Sequence, residues 1–341
     1  MKHPYQSVLI GTAVGDSLGL PAENLSAGQI RKRWAGPLRH RFLFGGGMVS
    51  DDTEHTVFVA QCLAGNPDAK TFQRRLAWKL RWWLLCLPAG IGFATLRAIL
   101  KLWMGFSPER SGVYSAGNGP AMRSAILGLR FAGKIAEIRE YVSASTRLTH
   151  IDSRAETAAL AVGLTASLSV TSGETAVGNL KTVRETWISA DPEDVAWTGL
   201  VEQMLSAHRR QLSVDAFAEE LGQKGRVSGY AYHTVPVALY AWLRHFGDFR
   251  AGLEAVIGCG GDTDTVGAIA GALLALNATI PEEWISGVRD FPISRAYLED
   301  LAGALESESL ETPPFHWVAL PFRNVVFIVV VLAHVFRRLL P

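Results

Sequence analysis

The sequence predicts an all-α fold. Three observations carry that prediction. Apolar residues recur at i, i+3, i+4 spacing along most of the chain, strand-like runs are few and short, and strands do not alternate regularly with helices as a parallel sheet would need. Several of the periodic segments are rich in Ala and Gly. Small side chains let helix backbones approach closely, which suits a compact bundle. At 341 residues there is room for one large domain or two small ones, and for a sizeable core.

The helical segments follow in order. A first runs over 53–64, behind Asp51 and Glu54, which read as a capping box. Segments 72–86 and 94–104 are basic. From Lys70 to Lys101 there are seven Lys or Arg and no Asp or Glu, with Trp78, Trp82, Trp83 and Trp103 among or beside them. The expected arrangement buries the Trp face in the core while the basic stems reach to water, with a membrane surface or a polyphosphate as the alternative partner. Segment 120–132 follows a Gly-rich turn. Segment 152–168 opens on Ser153 and Glu156, a second capping-box pattern, and carries Ala155, Ala158, Ala159, Ala161 and Gly163. Segments 194–208, 233–246 and 264–277 complete the set, the last entered through Gly258, Gly260 and Gly261.

The tail differs. After the acidic, Pro-containing stretch 299–314 come eight consecutive apolar residues, Val325 to Leu332, and then Arg337 and Arg338. The run is about half the ~20 residues a membrane-spanning helix needs. A helix docked on the domain is the first expectation, and peripheral membrane contact through the tail the second. The expected organisation is a helical domain over 1–300, then an acidic linker and apolar tail helix over 301–341.

Composition narrows the partners. The chain is 48% hydrophobic and 19% charged, a globular balance on the apolar side. Its 33 basic and 32 acidic residues give no strong nucleic-acid signal. Cys62, Cys86 and Cys259 are widely spaced and form no CxxC, so neither a disulfide framework nor a zinc site is expected. A cytoplasmic location follows as the default, with membrane association through the tail as the reservation.

Most of the chemical information sits in two turns. Ser50-Asp51-Asp52-Thr53 and Gly261-Asp262-Thr263-Asp264-Thr265 each place two carboxylates and a hydroxyl within one turn at a helix start. A single Asp there would be a cap worth ~0.3–1 kcal/mol through the helix dipole. Paired carboxylates repel, and the pattern occurs twice. If the two turns meet, four anionic groups need a cation, and an oxygen-only donor set suits Mg²⁺. A pair of ions bridged by one carboxylate is the usual solution.

Five stretches in order make the resemblance specific: GTAVGDSLGLPAE at 11–23, SDDTEHT at 50–56, SAGNGPAMR at 115–123, THID at 149–152 and GCGGDTDTVGAIAG at 258–271. Together they resemble the ADP-ribosylglycohydrolase family, over roughly residues 5–280. The resemblance implies an all-α orthogonal bundle with two Mg²⁺ ions, Mn²⁺ being the alternative metal. By position the ligands are Ser50, Asp51, Asp52, Asp262, Asp264 and Thr265, with Asp264 as the bridge. Where many family members carry Thr, this chain has Ser50, which still offers a hydroxyl but lacks the γ-methyl that steadies it.

The implied activity is release of ADP-ribose from an ADP-ribosylated acceptor, with Asp51, Asp52 and Asp264 in the catalytic set. Glu23 is the candidate general acid/base. Ser115, Gly117, Asn118 and Gly119 would wrap the diphosphate, since glycines let backbone N–H groups come close to anions. His150 and Asp152 would contact ribose or phosphate, and Asp16 would orient its neighbours from a buried position. Three other readings are weaker: a non-catalytic ADP-ribose binder, a membrane-tethered scaffold, and a serine esterase built on Gly15-Asp16-Ser17-Leu18-Gly19. The last needs a strand feeding Ser17.

Overall fold

The computed structural model describes residues 3–34 and 36–339. The expected spans 1–300 and 301–341 therefore include residues 1–2, 35 and 340–341, which lie outside the described residues. The helices, in chain order, are α1 Pro4–Gly19, α2 Ala27–Arg33, α3 Asp51–Cys62, α4 Ala69–Leu85, α5 Phe93–Trp103, α6 Ala125–Arg130, α7 Ile135–Arg147, α8 Ser153–Thr171 and α9 Gly173–Val177. They continue with α10 Leu180–Ile188, α11 Val195–Arg209, α12 Val214–Glu220, α13 Ala231–Arg244, α14 Phe249–Gly258, α15 Thr263–Leu274, α16 Glu282–Ile285, α17 Arg295–Glu306 and α18 Ala319–Leu339. Among the described residues β-pairing is limited to isolated bridges, two of which tie Gly260 to Ser26 and Gly261 to Val227. The fold is all-α.

Helices α1 and α15 form the centre. They run antiparallel with almost no side chain between them. A Cβ added at Gly11 would lie 2.4 Å from the Gly271 carbonyl oxygen, one at Gly15 2.0 Å from that of Gly267, and one at Gly19 2.1 Å from that of Thr263. Glycines every four residues on one face produce this contact, because i and i+4 stack along a helix. The register brings the end of α1, and the turn after it carrying Glu23, to the start of α15. Helix α3 packs across the same region and delivers the other acidic turn.

The eight expected segments correspond to α3, α4, α5, α6 with the short 3₁₀ turn before it, α8, α11, α13 and α15. Neither expected capping box forms, and each cap sits one residue earlier than expected. Ser50, not Asp51, caps α3, accepting a hydrogen bond from the Asp52 N–H, and Asp152, not Ser153, caps α8, accepting from the Arg154 N–H. The boundary expected at residue 300 falls inside α17, whose Tyr297, Leu298, Leu301, Ala302 and Leu305 are buried, so the helical domain runs on past it. In α4 only Trp83 enters the core; Trp78 and Trp82 point outward, each 54% exposed, which overturns the expected buried Trp face. The three cysteines are buried and free.

Helix α18 docks on the domain. Leu320, Asn324, Phe327 and Val330 are buried on its inner face, and the Asn324 amide donates to the Cys86 carbonyl at 2.7 Å. Its most consequential inner residue is Arg323. That guanidinium pairs with Glu54 at 3.2 Å and Asp290 at 2.5 Å and donates to the Val49 carbonyl, directly before the first acidic turn.

Candidate metal and substrate site

The first turn is held from three sides. Asp16 of α1 accepts from the Ser50 N–H at 2.8 Å, the Thr53 N–H at 3.2 Å and the Thr53 hydroxyl at 2.5 Å. Asp16 therefore orients the N-terminus of α3, as its expected role requires. Burial pushes its carboxyl up to about 6 against those hydrogen bonds. From the other side the Asp290 carboxylate accepts from the Val49 N–H at 2.9 Å. Glu54, one turn into α3, accepts from the Trp83 indole at 2.5 Å and pairs with Arg323. Burial raises Glu54 to about 7 even so.

The second turn is shaped by Gly260 and Gly261, both at positive φ, 71° and 88°. A Cβ at Gly261 would lie 2.0 Å from the Val227 carbonyl, so only glycine fits this chain reversal. Asp262 stands just before α15 and is held by the Asn118 amide at 2.6 Å. Asp264 and Thr265 follow in the first helical turn and are buried.

The two turns meet. The Thr265 hydroxyl donates to Asp52 Oδ2 at 3.2 Å, and Ser50 Oγ donates to the same oxygen at 3.0 Å. In the two turns Asp52 Oδ1 and Asp264 Oδ1 are buried with no hydrogen-bond partner, as is Asp16 Oδ1 of α1 beside them. Burial, then mutual repulsion, drives Asp51, Asp52 and Asp264 well above the ordinary carboxylate range. Glu23 lines the same space, half-buried, raised by burial and by Asp262 and partly offset by Arg338. Among the described residues no three His, Cys, Asp or Glu side chains already converge in metal-holding geometry. What the structure offers is four Asp carboxylates and two hydroxyls in adjoining turns, with two lone oxygens left over.

The Gly-rich turn lies beside Asp262. Asn118 uses its amide on Asp262 and on the Thr234 hydroxyl at 3.0 Å, and its N–H on the Gly229 carbonyl. Its amide thus ties the loop expected to wrap a diphosphate to the second acidic turn. The turn leads into a 3₁₀ segment, Ala121–Arg123, and not directly into an α-helix. A Cβ at Gly117 would lie 3.1 Å from His150 Nε2, and one at Gly119 3.2 Å from its Cε1, so this imidazole forms the floor below the loop. Ser115 is half-buried at the loop's start. His150 is lowered to about 3 by burial and by Arg123, so it is neutral, with Nδ1 on the Thr149 hydroxyl at 2.9 Å. Asp152 is spent on capping α8 and pairing with Arg154 at 2.6 Å; what it presents is an oriented guanidinium.

Three side chains that shape the site escaped the sequence reading. Arg123 is fully buried, linking His55, Ser145 and Thr149. Glu54 was read as a cap only. Arg323 lay just outside the apolar run, and its signal was an Arg-Asn pair on the same helical face as Leu320 and Phe327. The esterase reading fails here: Ser17 lies within α1, completely buried, with its hydroxyl 3.0 Å from His40 Nδ1 and no strand behind it.

Comparison with known proteins agrees with this architecture. The family model described as ADP-ribosylglycohydrolase matches residues 3–314. An uncharacterised protein of Archaeoglobus fulgidus is 30% identical over 316 residues, covering 89% of this chain and 96% of that protein. The ADP-ribosyl-[dinitrogen reductase] glycohydrolase of Rhodospirillum rubrum is 27% identical over 290 residues, 81% of this chain and 87% of its own length. A solved structure titled ADP-ribosylglycohydrolase-related protein complex superposes with a TM-score of 0.65 at 27% identity, covering 90% of this chain and 98% of that one.

Proposed function

The chain belongs to the ADP-ribosylglycohydrolase family, and from that premise we propose that it hydrolyses the glycosidic bond joining ADP-ribose to an acceptor, with two Mg²⁺ ions in the carboxylate pocket. The acceptor classes in view are a protein side chain, a nucleic-acid base or a small molecule, and ADP-ribose is the product. The observation that carries the reading is the junction of the two turns, Asp52 against Thr265 at 3.2 Å, beside the unpartnered buried oxygens of Asp52 and Asp264. A buried carboxylate oxygen without a donor is costly, and a hard cation removes that cost.

Ser50, Asp51, Asp52, Asp262, Asp264 and Thr265 would hold the ions, Mn²⁺ serving as the alternative. When bound, such ions polarise a water and grip a sugar diol, supplying charge stabilisation for an oxocarbenium-like state. The remaining work falls to the chain's own side chains. Asn118 fixes the Asp262 carboxylate, and Asp16 with Asp290 fixes the start of α3. Glu23, raised by burial and by its anionic neighbours, would hold and return a proton at the pocket's edge. Neutral His150 and the Arg154 guanidinium offer donors to ribose and phosphate oxygens.

The test is a panel of ADP-ribosylated substrates of different linkage, with and without Mg²⁺, using the wild type and Asp264→Ala. The expected result is metal-dependent release of free ADP-ribose from at least one linkage, reduced at least ~100-fold in the variant. Tight ADP-ribose binding with no release from any linkage would replace hydrolysis with a binding role.

A further inference from the structure

Two features outside the carboxylate pocket share helix α18. The first is its outer face. Opposite the docked residues runs a stripe of Phe322, Val325, Val326, Val329, Leu332 and Phe336, each between 51% and 73% exposed. Soluble monomers seldom leave so continuous an apolar surface in water. At the start of α18, Trp78, Trp82 and Leu85 of α4 flank a hollow with Trp317 and Val318.

The second is a groove of about 1190 Å³ between the C-terminal end of α18, the segment 33–45 and the stretch 283–289. Arg33, Arg39, Arg41, Arg289 and Arg337 line it and pair with no carboxylate among the described residues; Arg41 Nε is buried without any partner. The one acidic residue in its wall, Glu283, is already taken by Arg250. Of the segments that build both features, 24–49, 69–108 and 312–341 contain no Asp or Glu, and the stretch 283–289 contributes only Glu283.

We propose that this surface docks on an anionic phospholipid bilayer, with α18 lying in the membrane plane and the arginine groove taking head-group phosphates. By length and composition Ala319–Arg338, with mean hydropathy 2.0, could cross a bilayer. Its inner face forbids that in the folded protein, because extraction would leave Glu54 and Asp290 buried without Arg323. An in-plane helix keeps those pairs and buries only the stripe, with tryptophans at the head-group level where they are favoured. A second copy fits poorly: an isologous contact would bring together two arginine-rich surfaces whose one acidic residue, Glu283, already pairs with Arg250. A nucleic acid would satisfy the arginines but leave the aliphatic stripe in water.

The test uses the full chain and sedimentation with vesicles of phosphatidylcholine alone or of phosphatidylcholine with phosphatidylglycerol. Binding is expected only to the anionic vesicles, weakened by salt, with a blue shift of Trp fluorescence. Val326→Asp with Val329→Asp should weaken it at least ~10-fold, with unchanged circular dichroism and unchanged turnover of a soluble substrate showing that the fold survives. Arg39→Glu with Arg337→Glu should remove the preference for anionic lipid. The proposal is overturned by any of four results: no vesicle binding, equal binding to neutral vesicles, carbonate-resistant insertion, or a dimer that the Val-to-Asp changes dissolve. Binding of an oligonucleotide that these aspartates leave intact, without vesicle binding, would assign the groove to nucleic acid instead.

Discussion

The carboxylate pocket and the arginine groove are both concentrations of like charge, and they lie on either side of the loop that carries Glu23. Arg338 joins them, lining the groove while donating to the Pro21 and Glu23 carbonyls at 3.0 and 3.2 Å. Their chemistry differs because their burial differs. In the pocket burial is the first cause of every raised carboxylate, ahead of repulsion between neighbours. A desolvated charge must be neutralised by a proton, an ion pair or a metal. In the groove most guanidiniums keep water, so the same density of charge costs little and invites an anion without demanding one. A site that needs its ligand and a site that merely welcomes one should respond differently to the same kind of substitution.

The largest contrast is expected at Asp52. Asp52→Asn removes one buried charge while keeping the shape, and should lower metal-dependent turnover at least ~100-fold. The metal-free protein should at the same time melt higher, since less repulsion remains. Activity and stability moving in opposite directions would mark the pocket as strained for function; a fall in both would make Asp52 a structural residue.

Arg323→Met should come next. It leaves Glu54 and Asp290 buried without a cation, a loss of ~3–5 kcal/mol, read by chemical denaturation. Glu54→Gln in the same background should restore part of it, because one of the two stranded charges disappears. No restoration would show that packing of α18, rather than charge, sets the cost.

Acidity offers a gentler probe. Glu54 rises from 4.5 to about 7 and Asp16 from 3.8 to about 6 on folding, both chiefly through burial. Between those values the unfolded chain has released protons that the native state still holds. Stability of the metal-free protein is therefore greatest below the unfolded values and falls as pH rises toward 7. At ~1.4 kcal/mol per pKa unit, the change is a few kcal/mol. Melting with a chelator at pH 5.5 and 7.5 should give the higher midpoint at pH 5.5, and added Mg²⁺ should raise the pH 7.5 midpoint most.

The same difference in burial explains what the sequence could reveal. The acidic turns were legible because short side chains reach a common point only from adjacent backbone positions, which leaves a motif such as Gly260-Gly261-Asp262. The groove was not, since long arginines converge from 33–41, 289 and 337, and no local pattern results. Helix α1 was missed for a different reason. Gly11, Gly15 and Gly19 lower helix propensity, and their benefit, close contact with α15, exists only after tertiary packing. Arg323 was passed over because the tail was measured by its apolar run from Val325, while the inner face of α18 begins at Leu320.

The smallest expected effect closes the comparison from the groove side. Arg39→Gln with Arg289→Gln removes two solvated cations that pair with no carboxylate among the described residues. Such exposed changes typically shift stability by within about ±0.5 kcal/mol. If the groove is a surface of like charges held apart by water, the melting temperature should stay level or rise slightly as repulsion falls. Should the pair instead lose as much stability as Arg323→Met, the groove arginines would be satisfying buried acceptors, and the distinction between a cation-demanding pocket and an anion-welcoming groove would collapse. Measuring both variants by the same denaturant titration decides it, because equal m-values would guarantee that the same unfolding is being compared.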